Sequence, residues 1–566
     1  MTHSSYFHSI YKLRVFLGLI LISALMSWGV LYIIPPVLAW NSISNADSLV
    51  LLDVANDIWT GKSLYGWNFP RAPYIFPDLL IATLVMSFGW SSSYTLLLIA
   101  TTNYLLFIFV AQRIVNSIYG TQYQSILSTA LSISAALIFF GIMLFPIAIH
   151  FIYWQLFASG AHFLSAIIIA LIFSEVSSNR SIKLNQSTLL WIIVLVFLVS
   201  VSNSISILLI GSWLFARVGW GCVVRFSGSR SDILPTKVEI YIALSLMSGT
   251  FIGSSIPRQS IADSFLSLQN FIVGIEGFCA WLMSSFENAL LVVALLFLVI
   301  AWSYISTLPT KAGVITLPSD LKKRGAFFQS PYLLPSLSIF VVAPFLYQGE
   351  SSLRYFAFPG FIALICISVF FSRAFSCLSN ISKFGFGLVF VTGILACAIG
   401  SGRKGAYFLG ENLTTTTHQM HDGMFYPSDA QFAIQCIQKA SALYPLQDGL
   451  ATYWNARPIR VASHFKYYLA QVSSWNPPAG YFLWGNNGMD FLYSDISSRE
   501  LRKYNYIVAS NMEIDSGVWG NTLDHASNQV TCEGFSIFIF SSQNTLDDYL
   551  FPGGKPNYID GRGAIK

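Results

Sequence analysis

Asp47, Asp53 and Asp57 are the residues of this chain best suited to chemistry. They share the short run Asn45 to Gly61, just past the first apolar segment, and a carboxylate beside hydrocarbon is costly to desolvate unless it has a polar pocket or a task. The task that suits an acid at a membrane surface is general-base catalysis, in which it takes the proton of an incoming hydroxyl or amine. Asp78, His150, His162, Arg258, Asp263, Glu350 and Arg354 are further groups that hydropathy places on the same side. Among them Arg354 is suited to a phosphate, because a guanidinium fork matches phosphate oxygens and stays charged next to lipid. Glu350 lies one helical turn away and can orient it, and Arg258 is its rival. Plainer readings stand beside these: Asp47 and Asp78 as helix caps, Asp53 and Asp57 as one solvated helix face, and Arg354 as a snorkelling residue at a helix end. His150 and His162 read first as interfacial histidines.

The elements that must position these groups are apolar. The 566 residues are 54% hydrophobic and 10% charged, against roughly a quarter charged in soluble domains, which reads as a polytopic α-helical membrane protein. Eleven segments qualify as candidate spans: 15–35, 94–112, 126–148, 160–175, 188–201, 205–216, 238–255, 287–305, 332–348, 355–372 and 384–400. The first follows Lys12 and Arg14 without a convincing cleavage site, so it is expected to be retained. A cytoplasmic N-terminus puts Arg113, Arg180 with Lys183, 217–237, 311–324 and 373–383 all inside. The loop 36–93 and everything after 400 then lie outside, and residues 78–90 read as an interfacial or re-entrant helix. The chain divides into a membrane domain, 1–400, and an extracytoplasmic water-soluble α/β domain, 401–566.

That tail carries 12 Lys plus Arg and 14 Asp plus Glu. With a scattered net charge of +5 for the whole chain, nucleic-acid binding has no support. Residues 460–463, 504–509 and 535–540 read as strands, and 427–444 as helix. Cys436 and Cys532 are able to pair if the tail lies outside the cytoplasm. No run of the form G-x-x-x-x-G-K-[ST] and no kinase signature is present, so energy must come from an activated substrate or a gradient.

The first loop resembles that of the GT-C family of polyprenyl-phosphate-sugar-dependent glycosyltransferases. The matching residues are Asp47, Ala55, Gly61 and the approach Pro73-Tyr74-Ile75-Phe76-Pro77-Asp78, and Ser352 to Pro359 is similar to the Arg-Tyr segment that opens a late membrane helix. The resemblance implies a GT-C-like fold of about eleven membrane helices, a polyprenyl-phosphate-sugar donor seated among membrane lipids, and a glycan, lipid or protein acceptor. In that setting Asp47 matches the general base, with Asp53 or Asp57 as helper. Arg354, Glu350, Arg258, Asp78 and Trp59 would contact substrate. Ser48 stands where many relatives carry a second acid, and no spacing here specifies a divalent cation, although one could share the phosphate charge.

Trp59 or Trp67 could stack on a sugar, and Tyr453-Trp454, Trp475 and Trp484 belong either to the core of the tail or to a carbohydrate-facing patch. The expected location is a bacterial inner membrane. Two other functions compete: a transporter or flippase of lipid-linked saccharides, which would bury charges inside spans, and an envelope polysaccharide polymerase or ligase.

Overall fold

The computed structural model describes residues 13, 15–27, 46–62, 64–69, 75–88, 92–119, 126–143, 186–202, 206–215, 237–256, 268–307, 310–311, 314–315, 332–345, 356–376, 428–472, 486–495, 500–541 and 546. The first part is helical, and the last part carries a mixed sheet.

The expectation of eleven membrane-crossing helices does not hold. Helices occupy most of the apolar segments, but among the described residues only Leu97–Asn116 is long and apolar enough to cross a bilayer. A second candidate exists only if Ile272–Ser284 and Asn288–Tyr304, bent by 102° at their break, count as one span. Six further apolar helices among the described residues run only 10–17 residues. At 1.5 Å per residue they cover about 15–26 Å, short of the roughly 30 Å of a hydrocarbon core. Hydropathy counts apolar residues but does not see where the helix stops, and that is where the reading failed. Segments 160–175 and 384–400 lie outside the described residues.

These helices pack closely. A Cβ on Gly249 would meet the Phe197 carbonyl oxygen at 2.6 Å, and one on Gly274 would meet that of Phe345 at 2.7 Å. Glycine is what lets the two helix pairs approach so tightly. Residues 75–86 form a kinked helix with a cis Phe76–Pro77 bond. Leu80 and Leu84 stand exposed on it, and Phe88 in the turn that follows. Trp59 donates its indole N–H to the Thr83 carbonyl at 2.6 Å, tying this segment to the helix before it.

The C-terminal unit is built on strands β4 (Asp448–Thr452), β5 (Leu469–Val472), β9 (Tyr504–Ser510), β10 (Asn528–Thr531) and β11 (Phe535–Ile539), in the order β10-β11-β9-β4-β5. β4 runs parallel to both β5 and β9, and the remaining pairs are antiparallel. Short pairs complete the strands: β1 (Trp67–Asn68) with β6 (Asn486–Asn487), β2 (Thr310–Lys311) with β3 (Val314–Ile315), and β7 (Tyr493–Asp495) with β8 (Glu500–Leu501). β9, β11 and the Ser428–Leu443 helix fall where the sequence pattern puts them. Residues 460–463 do not form a strand. Arg460 to Ala462 end a helix, Tyr453–Ala462, which makes the crossover from β4 to β5. Cys436 on the Ser428–Leu443 helix is bonded to Cys532, between β10 and β11.

Candidate active site

The run that opened the sequence reading forms a helix, Ala46–Trp59. Gly61 follows at φ +70, a left-handed position that a side chain would strain. Leu49, Val50, Leu52, Val54 and Ala55 are buried. The helix therefore lies sandwiched, against the Tyr453–Ala462 helix on one side and the Leu80–Met86 helix on another.

Asp53 and Asp57 are both buried, at 1% and 0% exposure. Four residues apart, they share a helix face, and that face docks on the C-terminal unit. Arg457 Nε donates to Asp53 Oδ2 at 2.7 Å, and Arg460 Nη2 lies 3.3 Å from Asp53 Oδ1. Asp57 Oδ2 accepts from Trp67 Nε1 at 2.9 Å and from Asn487 Nδ2 at 3.2 Å. Lys62 Nζ bridges Asp490 Oδ1 at 3.0 Å and Asp57 Oδ1 at 3.6 Å. Arg502 closes the network, with Nη2 2.8 Å from Asp490 and Nη1 3.1 Å from Asp448. The Tyr468 ring carries the Arg502 guanidinium at 3.5 Å and that of Arg460 at 4.9 Å, and its hydroxyl donates to the Asp490 carbonyl.

Four acids thus meet four cations in a seam between residues 46–68 and the C-terminal unit. The β1 and β6 pairing adds backbone hydrogen bonds across it. Such a seam is costly to break from one side, because an unpaired buried charge is left behind. Burial pushes the Asp490 carboxyl up, but Arg502, Lys62 and Arg460 outweigh it and hold the group below its ordinary value. Asp57 goes the other way: burial raises it more than Lys62 lowers it. Buried and already partnered, Asp53 and Asp57 hold the helix against the C-terminal unit.

Asp47 sits elsewhere on the same helix. It lies in the first turn, six residues before Asp53 and ten before Asp57, which turns its position about 80–120° from the two docked acids at 3.6 residues per turn. Arg258, Glu350 and Arg354 lie outside the described residues, as do His150, His162 and Asp263. Asp78 is buried at 1% exposure, with neither carboxyl oxygen closing a hydrogen bond of normal geometry. Asn103 is the one side chain that tempers its desolvation. The two tryptophans divide. Trp67 is in the core, its N–H committed to Asp57, whereas Trp59 keeps about half its surface, 52%, in the open. Tyr453 and Trp454 divide likewise, the first fully buried and the second 44% exposed.

Sequence reading missed Arg457, Arg460, Asp490, Arg502 and Asn487. One signal was there: Arg457 and Arg460 lie three apart and so share one face of a helix, a doubled positive charge that calls for a buried acid. Among the described residues no group of three His, Cys, Asp or Glu could hold a metal ion. No protein-family model, curated protein or solved structure matches the chain.

Proposed function

We propose that this protein is a membrane glycosyltransferase that moves a sugar from a polyprenyl-phosphate-linked donor to a cell-envelope acceptor, on the outer face of a bacterial inner membrane. Asp47 is the base in this reading. Its carboxylate takes the proton of the acceptor hydroxyl or amine as the new bond to the anomeric carbon forms. The old bond to phosphate breaks, and the polyprenyl phosphate departs with its charge met by Arg354 or Arg258.

The observation that carries the reading is the separation of tasks on the Ala46–Trp59 helix. Asp53 and Asp57 are spent on anchoring, while Asp47 in the first turn is set about 80–120° round the helix from them. The Cys436–Cys532 bond supports an oxidising compartment for the C-terminal unit.

The test is sugar transfer by the full-length protein in lipid, from polyprenyl-phosphate-linked hexoses offered one by one. Asp47→Asn should slow transfer by about 100-fold or more, the usual scale of a lost general base, and Arg354→Ala should slow it as well. Normal transfer by both variants at normal expression would remove the assignment.

A further inference from the structure

We infer that the C-terminal unit sets the position of the catalytic end of the Ala46–Trp59 helix, with Arg457 and Asp53 as the positioning pair. This rests on Asp47 being the base, and the experiment below separates the two claims.

The apolar residues of the helix hold it down, but burial is non-directional and does not fix an angle. Charge-assisted hydrogen bonds do. Asp53 Oδ2 accepts such a bond from Arg457 Nε at 2.7 Å, and Arg460 Nη2 adds an ion pair 3.3 Å from Oδ1. Arg457 also donates from Nη2 to Gln471 Oε1 on β5 at 3.1 Å. Its guanidinium is therefore a strut running from the helix to the sheet, and both ends are buried.

The far end of the helix is pinned separately, by Trp59 on the Thr83 carbonyl. From Trp59 to Asp47 is twelve residues, about 18 Å of helix. A tilt of roughly 3° about Trp59 would thus move position 47 by about 1 Å, and a displacement of that size is enough to cost a catalytic group on the order of 100-fold. The Asp53 strut stands midway along this lever, where it opposes such a tilt.

The experiment compares Arg457→Gln and Arg457→Lys with the unaltered full-length protein in lipid nanodiscs. Amide hydrogen exchange of residues 46–59 is read beside that of 448–452 and 504–510, together with transfer from a synthetic polyprenyl-phosphate hexose. Arg457→Gln should raise exchange across 46–59 by about tenfold or more while the two strands keep their protection. It should lower kcat by about 100-fold with KM for the donor little changed, and Arg457→Lys should recover part of both losses. Unchanged exchange in 46–59, equal loss of protection in the strands for both variants, or a loss carried by KM would overturn the positioning role. If the unaltered protein transfers sugar from no such donor, the reading of Asp47 as base falls, and the exchange data alone decide whether the strut exists.

Discussion

Asp78 in the helical part and Asp490 in the seam are both buried carboxylates, and their surroundings drive them in opposite directions. Around Asp78 burial dominates and pushes its carboxyl up to about 7, with its own backbone N–H and the Asn103 side chain pulling the other way. Asp490 is just as enclosed, yet three cations more than offset the burial and keep it charged. The helical part meets a buried acid by letting it keep its proton, whereas the seam meets it with guanidinium groups. The first arrangement requires little of distant sequence, and the second ties together residues more than 400 positions apart.

The largest expected effect comes from taking one charge out of the seam. Asp490→Ala leaves Arg502, Arg460 and Lys62 without a shared partner and should cost about 3–5 kcal/mol in the unfolding of the C-terminal unit. The double variant Asp53→Leu with Arg457→Met should lose much less than either single change, since an apolar pair of similar volume replaces an ion pair at little cost. Additive losses in a double-mutant cycle would refute the pairing. The pH dependence gives the sign. The carboxyl of Asp490 is depressed in the folded state, so its contribution is present above its unfolded value of 3.8 and is lost as pH falls through its lower folded value.

Asp78→Asn should act with the opposite sign. Its carboxyl is raised, so the contribution is complete below 3.8 and is lost as pH rises through about 7. Removing it should abolish a loss of up to about 4 kcal/mol accumulated between those limits, each pH step accounting for about 1.4. Stability measured from pH 4 to 8 checks this. A slope that survives the substitution would show that some other group titrates.

The same contrast explains what could be read in the sequence. The Ser428–Leu443 helix announces itself through local periodicity, because it buries one regular face, whereas β9 and β11 announce themselves as short apolar runs buried along nearly their whole length. Residues 460–463 mislead because Ile459 and Val461 favour strands locally. The helix prevails because it buries Ile459 and Val461 and aims Arg457 and Arg460 at Asp53. Asp47 could be singled out by position, but that Asp53 and Asp57 serve as anchors could not, since their partners come from the far end of the chain. The eleven spans fail for a related reason. Hydropathy is local and does not register a break such as the one near Ser285, where two apolar helices meet at 102°.

A smaller effect distinguishes the two parts by cross-link. The Cys436–Cys532 bond lies wholly within the C-terminal unit. Replacing both residues by Ser should lower the stability of that unit by about 2–4 kcal/mol and leave the pH slope assigned to Asp78 unaltered. A change in that slope would mean that the two parts unfold as one.

The smallest effect sharpens the comparison within the seam itself, because Asp57 behaves like Asp78 and not like Asp490. Burial raises it in spite of Lys62, so its carboxylate works against the fold as pH rises above 3.8. Asp57→Asn removes that desolvated charge and still offers one oxygen to the Trp67 indole, whose 2.9 Å bond needs an acceptor and not a charge. Stability at pH 7 should therefore stay within about 1 kcal/mol of the unaltered protein, the usual worth of a neutral hydrogen bond. A loss as large as that for Asp490→Ala would make the Lys62 contact, and not the indole, the reason an acid stands at this position.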